Sequence, residues 1–140
     1  MVLGAGAAVA CPLRLPVTSV EIGDARLDLE IAATPAARAC GLSRRSDLAP
    51  DRGMVFVSPE ARVLSFWMQD TTLPLSIAFL DADGWIVSIQ RMTPNQTEER
   101  YPSPEPVRHA IEVNQGWFAQ HGVRVGDVVD LRLPVVLRIE

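Results

Sequence analysis

The stretch Ser65–Leu75 holds the residues best suited to a functional site, and it reads Ser-Phe-Trp-Met-Gln-Asp-Thr-Thr-Leu-Pro-Leu. Large aromatic and thioether side chains stand directly before a polar turn: Phe66, Trp67 and Met68, followed by Asp70 and Thr71. Apolar surface of this size must be buried in a core or line a pocket. Core packing is the simpler prediction, and the functional alternative is a pocket for a small apolar or amphipathic ligand.

Charged side chains could add acid–base or anion-binding chemistry to such a pocket. Asp70 is the best candidate for a general acid or base if its carboxyl faces the pocket, although a turn that satisfies local backbone donors explains Asp70 and its threonines more simply. Possible charged pocket residues are Arg45, Arg52, Glu112 and Asp127. A buried arginine against a carboxylate is either a structural clamp or an anion site, and we favour the clamp.

Other common chemistries find no matching pattern. No serine stands in the G-x-S-x-G setting of a serine hydrolase. His109 and His121 have no metal-ligand spacing, and the methionines with Cys40 are not grouped closely enough for a soft metal. We therefore predict no metal and no cofactor.

Length and charge narrow the class of protein. The chain has 140 residues, of which 48% are hydrophobic, enough for one domain with a sizeable core. Its net charge is −4, and all 13 basic residues are arginines scattered along the chain. A nucleic-acid binder needs a basic stripe, so we predict no nucleic-acid partner.

The N-terminus has the pattern of an export signal. Its first ten residues are small and apolar and end in Ala8-Val9-Ala10, directly before Cys11. This order also loosely fits a lipoprotein cleavage site, with Cys11 as a possible lipid anchor. We expect residues 1–16 to be an export-signal remnant or a flexible tail and residues 17–140 to form a single β-rich domain. A bacterial protein of this kind would be periplasmic or envelope-associated, and no other segment is apolar enough to span a membrane.

Cys11 and Cys40 are the chain's two cysteines, and they could pair in an exported protein. Because Cys11 stands on a tail that would be cleaved or acylated, we expect no structural disulfide. Cys40 is then interpreted as a small buried hydrophobe on a helix.

Alternating apolar residues and turn signals predict many short strands. Gly23-Asp24 and Asp81–Gly84 are expected to close hairpins. The predicted strands are Val17–Ile22, Arg26–Ala32, Met54–Val57, Arg62–Met68, Ile77–Leu80, Trp85–Arg91, Val107–Val113, Val128–Leu133 and Val135–Ile139. Because Arg62–Met68 is apolar on both faces, it should lie centrally or form a cavity wall.

Two short helices complete the prediction. Thr34 should cap the first, with Pro35 at its first position and Gly41 at its end. Asn114 should cap the second, over Gln115–His121. The expected fold is mainly β (β-rich α+β), an antiparallel sandwich or small barrel of about eight or nine short strands.

The segment Thr93–Pro106 contains four prolines and is predicted to be irregular but stiff. Its charged tip, Glu98-Glu99-Arg100, should face water. We expect Tyr101 to pack near Phe66–Met68 and partly roof any cavity there, which would make the segment a lid. The alternative is an ordinary mobile loop.

Several motifs in order resemble the family known as domain of unknown function 192 (DUF192). They are Gly41-Leu42, Arg45, Asp51–Val57, Phe66–Thr71, Pro74-Leu75, Asp81–Gly84, Glu112–Trp117 and Gly122–Asp127. The chain departs from the family pattern at Ser43, where Met is usual, at Ser76, where Asp is usual, and at Gln69-Asp70, where Lys-Asn is common. The resemblance implies an often exported protein without an established activity.

The leading functional prediction is an exported binding or cell-envelope accessory module with an apolar and aromatic pocket. The pocket residues would be Phe66, Trp67, Met68, Asp70, Thr71, Arg45 and Tyr101. Its partner would be a small apolar ligand or an envelope protein. The alternative is a small hydrolase that uses Asp70 and an arginine–carboxylate pair.

Overall fold

A computed structural model gives the structure of the protein and describes residues 10–140. It contains eight strands and two short helices. The strands are β1 (Val17–Ile22), β2 (Ala25–Ala32), β3 (Arg52–Arg62), β4 (Ser65–Phe66), β5 (Leu75–Leu80), β6 (Ile86–Met92), β7 (Tyr101–Pro102) and β8 (Val107–Asn114). The helices are α1 (Pro35–Cys40) and α2 (Trp117–Gln120). The prediction of a β-rich α+β fold is confirmed.

The main sheet has six strands in the order β1-β2-β3-β8-β5-β6, and β4 pairs with β7 in a separate ribbon. Within residues 10–140, β1 and β6 are the edge strands and do not pair with each other, so the sheet does not close into a barrel. The sheet is also not purely antiparallel. Strands β2 and β3 run parallel because α1 carries the chain back between them.

Local sequence signals placed the hairpins and α1 correctly. Asp81 closes the β5–β6 turn, where its Oδ1 accepts hydrogen bonds from the backbone N–H groups of Asp83 and Trp85, each at 2.9 Å. Thr34 caps α1 by accepting from the Ala37 backbone N–H at 3.2 Å. Gly41 ends that helix with a φ of 50°, a conformation that favours glycine.

The second helix is shorter than predicted and is capped by Gly116 rather than Asn114. Asn114 is the last residue of β8, paired with Leu75. Its amide donates to the Leu48 carbonyl at 2.9 Å. Strand pairing therefore holds Asn114 in an extended conformation, and the helix begins only at Trp117.

The prediction that Arg62–Met68 forms a central strand is wrong, and its alternative, that this segment forms a cavity wall, is confirmed. Arg62 is the last residue of β3 and pairs with Val107. Of the residues after it, only Ser65 and Phe66 pair, and they pair with the short β7 outside the main sheet. Val63 is 55% exposed, so one of the two apolar faces meets solvent. The neighbouring position beside β3 is taken by β8, which leaves this segment to cover the sheet rather than join it.

The two predicted C-terminal strands are also wrong. Apart from a single bridge between Trp85 and Val128, residues 128–140 make no strand pairing. Their alternate apolar side chains instead pack on one face of the sheet, namely Leu131, Leu133, Leu137 and Ile139. Apolar alternation satisfies such face packing as well as it satisfies a ladder, so the pattern alone does not distinguish them.

The sheet separates two apolar cores. The first core lies on the face of Val55 and Val57 and is covered by α2 and the C-terminal segment. The second core lies on the face of Met54 and Phe56 and is covered by α1 and residues 64–73. Between these faces, β3 and β8 approach so closely that a Cβ on Gly53 would clash with the Glu112 carbonyl oxygen.

Cys11 and Cys40 form a disulfide, so the expectation of unpaired cysteines is wrong. The segment before β1 lies against the domain: Leu13 and Leu15 pack on the second core, and the Pro16 carbonyl accepts from the Ile31 backbone N–H at 2.8 Å. This path brings Cys11 to the end of α1. In this structure its sulfur is therefore bonded and not free to carry a lipid.

The export-signal pattern falls mostly on residues 1–9, which lie outside the described residues. Among residues 10–140, no helix has the length and apolar character needed to cross a membrane.

Candidate functional site

A cleft of about 470 Å³ opens on the second core, between the end of α1, strand β3 and the β4 segment. Its volume lies in the usual range for small-molecule pockets. The apolar lining comes mainly from Leu42, Phe56, Phe66, Trp67, Met68 and Leu75. Phe66 stands edge-on to Phe56 at 4.9 Å between ring centroids, which fixes the middle of the cleft.

The structure brings four of the seven predicted pocket residues to this cleft: Phe66, Trp67, Met68 and Thr71. Met68 is 1% exposed and so belongs to the core as well as to the wall. Thr71 is buried, and its hydroxyl donates to the Gln69 carbonyl at 3.0 Å, as expected for a residue that stabilises a turn.

Trp67 is not a core residue. The residue is 41% exposed, and the Arg100 guanidinium lies over the ring, 4.3 Å from its centroid. The prediction of plain core packing is therefore wrong for Trp67, although it holds for Met68. The ring forms the rim of the cleft and is stabilised by a cation–π contact.

This exposure sets the expected effect of removing the indole. We expect Trp67→Ala to lower the free energy of unfolding by only about 1 kcal/mol, because the variant loses a rim contact and leaves no enclosed cavity. Phe79→Ala, at a ring with no exposed surface, should cost about 3–5 kcal/mol. Urea unfolding of both variants tests the difference. Equal losses in the free energy of unfolding would show that the Trp67 ring is packed in the core.

Tyr101 packs beside Phe66 in the β4–β7 ribbon, and its hydroxyl accepts from the Thr93 backbone N–H at 3.0 Å. Its ring is partly buried against the second core and does not line the cleft. The segment Thr93–Pro106 instead contributes Arg100 to the cleft wall. Glu98 and Glu99 are exposed, as predicted.

Two further predicted site residues lie outside the cleft. Asp70 is exposed and forms an ion pair with Arg44 at 3.3 Å. Arg45 makes a two-pronged pair with Glu30, at 2.5 and 2.9 Å, between half-buried side chains. The geometry at Arg45 is that of a structural clamp, and neither Asp70 nor Arg45 lines the cleft.

Glu112 is the buried carboxyl of the cleft. It stands on β8 between Met54 and Ile77 of the neighbouring strands and is 5% exposed. Among residues 10–140, its carboxyl has neither a hydrogen bond nor an ion pair, and burial raises its pKa to about 8. The sequence predicts Glu112 only as one of four possible charged pocket residues, and the structure brings it to the cleft. The available signal was a lone acidic residue inside the apolar run of β8.

A second set of polar groups lines the cleft near Ser58, further along β3 than the Met54 position that pairs with Glu112. Ser58 is 1% exposed and lines the cleft, and its hydroxyl has no hydrogen-bond partner in the described part of the chain. Arg38 and Arg62 line the cleft beside it, and Arg38 donates to the Val57 carbonyl at 2.9 Å. Burial lowers the pKa of Arg38, the nearby charge of Arg62 lowers it further, and Glu140 acts in the opposite direction. Nothing in the sequence indicated this group.

Cys40 lines the cleft, and its bond to Cys11 removes it as a thiolate ligand. Within residues 10–140, no three His, Cys, Asp or Glu side chains are grouped as metal ligands.

Comparison with known proteins places this fold and site in a family. Residues 18–131 match the profile of DUF192, which is described as "Uncharacterized ACR". The chain belongs to the DUF192 family. The match spans the main sheet, the β4–β7 ribbon and every cleft residue described above, so the cleft lies within the family domain. A comparison with curated proteins gave no match.

Two solved structures resemble this member of DUF192 over most of its length. One is a Sinorhizobium meliloti 1021 protein described as a candidate transcription regulator, with 33% identity, a TM-score of 0.80, and coverage of 85% of this chain and 96% of that chain. The other is a protein of unknown function from Novosphingobium aromaticivorans DSM 12444, with 30% identity, a TM-score of 0.79, and coverage of 91% and 94%.

Proposed function

We propose that this DUF192 protein is an exported binding module that holds a small amphipathic molecule in the cleft on its second core. The observation that carries the proposal is the Ser58 hydroxyl, which is buried in the wall of an aromatic cleft without a hydrogen-bond partner in the described part of the chain, together with the buried Glu112 carboxyl of the same cleft. Buried polar groups without partners are costly, and a ligand would satisfy them.

The disulfide supports the exported, periplasmic or envelope-associated location. Cysteine pairs of this kind persist in oxidising compartments and are rare in the cytosol. The Cys11–Cys40 bond fixes the end of α1, which forms one wall of the cleft. An oxidising compartment would therefore preserve the disulfide and, with it, the position of this wall of the binding site.

A binding role is favoured over the hydrolase alternative. The acid–base residue of that alternative, Asp70, is exposed and paired with Arg44, and Arg45 is engaged by Glu30. The regulator description belongs to the S. meliloti protein. The net charge of −4 in the present chain does not favour binding to DNA.

The proposal is tested with N-phenyl-1-naphthylamine, a neutral dye that fluoresces in apolar sites. We expect saturable binding to the parent protein and at least about tenfold weaker binding to Ser65→Trp, because the new indole would occupy the cleft. Ser65 is exposed and lines the cleft, so the substitution leaves the core intact.

Ala61→Trp is the matched control, since Ala61 is exposed near the end of β3 but does not line the cleft. It should bind the dye as the parent does. Absence of saturable binding to the parent, or equal binding by both tryptophan variants, would contradict a ligand site in this cleft.

A further inference from the structure

The two ends of the cleft differ in charge. Three guanidinium groups line it, those of Arg38, Arg62 and Arg100, and Glu112 is its one acidic side chain. In the described part of the chain, none of these three arginines forms an ion pair within 4.0 Å. Burial lowers the pKa of Arg38, the positive charge of Arg62 lowers it further, and Glu140 acts in the opposite direction without forming an ion pair with Arg38. A bound anion would relieve this repulsion.

The Ser58 hydroxyl adds a neutral donor to the same end. It is buried without a partner directly after the Val57 carbonyl that Arg38 binds. A hydroxyl that lines the same cleft as two guanidinium groups suits a carboxylate or another small anionic head, which can accept hydrogen bonds from all three.

Glu112 marks the opposite end. It is in register with Met54, and Ser58 follows Met54 by four positions along the same face of β3. At the usual rise of a strand, the two polar sites are therefore about 13 Å apart. Phe56 lies between them with Phe66 at its edge, so the path is apolar.

The protonation state of the Glu112 carboxyl decides which groups it can bind. No cation lies within ion-pair distance among residues 10–140, and burial raises its pKa to about 8, so at neutral pH it carries a proton. A protonated carboxyl donates an O–H hydrogen bond, which suits a hydroxyl or carbonyl oxygen.

Resting on the proposed function, we infer that the cleft binds an elongated monoanion whose acidic head lies at Arg38, Arg62 and Ser58 and whose far end presents a hydroxyl or carbonyl oxygen to Glu112. A medium-chain hydroxy or oxo fatty acid has this chemistry. The apolar chain would lie along Phe56 between the two polar ends.

Calorimetric titration with four chains of equal length tests the inference: 10-hydroxydecanoate, decanoate, 1-decanol and decylammonium. We expect 10-hydroxydecanoate to bind at least about fivefold more tightly than decanoate, and both acids to bind at least about tenfold more tightly than the alcohol or the amine. An alcohol or amine that equals decanoate would overturn the anionic head.

Substitutions at Arg62 and Glu112 test which residues bind each end of the ligand. Arg62→Gln should weaken both acids about tenfold and leave 1-decanol unchanged, whereas Arg91→Gln, at an exposed arginine outside the cleft, should change neither. Glu112→Leu should abolish the preference for 10-hydroxydecanoate over decanoate, and Glu112→Gln, which still donates, should keep it.

A preference that survives in Glu112→Leu, or an equal loss in both arginine variants, would overturn the proposed orientation. If N-phenyl-1-naphthylamine binds and is excluded by Ser65→Trp while neither acid binds, the binding function stands and the ligand class is wrong. If the dye also fails to bind, the proposed function itself is wrong.

Discussion

Glu112→Gln is expected to stabilise the protein by up to about 5 kcal/mol at pH 8 and above, relative to its effect at pH 4. The carboxyl has a pKa of about 8 in the folded protein, against an ordinary value of 4.5, because it is buried. Between these two values the unfolded chain releases the proton and the folded chain keeps it. The free energy of unfolding of the parent should therefore fall as the pH rises from about 4.5 to about 8.

The amide of Glu112→Gln does not titrate, so the variant lacks this loss. Below pH 4.5 both side chains are neutral, and any remaining difference reports only the change in packing. His109, whose burial lowers its pKa and whose neighbour Arg108 lowers it further, makes stability fall as the pH drops below its ordinary value of 6.5. That contribution is common to parent and variant, so it cancels in their difference.

Urea unfolding of both proteins from pH 4 to pH 9 measures the effect. Glu105→Gln, at an exposed glutamate, is the matched control and should show no such pH dependence. A constant difference between parent and Glu112→Gln over this range would mean that the carboxyl is solvated or paired in solution.

Loss of the Cys11–Cys40 bond is expected to lower the free energy of unfolding by about 3–4 kcal/mol. The bond closes a loop whose ends are 29 residues apart, and opening it frees the unfolded chain. For a domain of this size, the melting temperature of Cys11→Ser/Cys40→Ser should drop by roughly 10 °C. Because Cys40 lines the cleft, dye binding should weaken in the same variant.

A reductant provides the internal control. Dithiothreitol should bring the parent close to the melting temperature of the double serine variant, and it should leave that variant unchanged. A parent that carries two free thiols before reduction, or that melts identically with and without the bond, would contradict the structural role of this disulfide.

Local chemistry predicted the elements whose signals lie within a few residues. Thr34 and Pro35 begin α1, Gly41 ends it, and Asp81 closes its hairpin, because each of these effects involves backbone groups only a few positions away. The family motifs and the dense apolar run at Phe66–Met68 likewise indicated where a pocket would lie.

Elements that depend on distant partners were not predictable in this way. The C-terminal apolar alternation fits a strand and a face-packed segment equally well, and only the position of the sheet decides between them. The exposure of Trp67 has the same origin. Its neighbours in sequence resemble a buried strand, but β8 occupies the place beside β3 that such a strand would need.

The sequence by itself therefore determined the β-rich class, the family, the hairpins, α1 and one wall of the cleft, because these follow from local patterns. Only the tertiary structure decided the disulfide and the polar ends of the cleft. The Glu112 carboxyl is buried and has a raised pKa because Met54 and Ile77 flank it on neighbouring strands. The Ser58 hydroxyl lacks a hydrogen-bond partner because the cleft opens above it. Burial and the presence or absence of partners are set by residues far apart in the chain, and no local pattern encodes them.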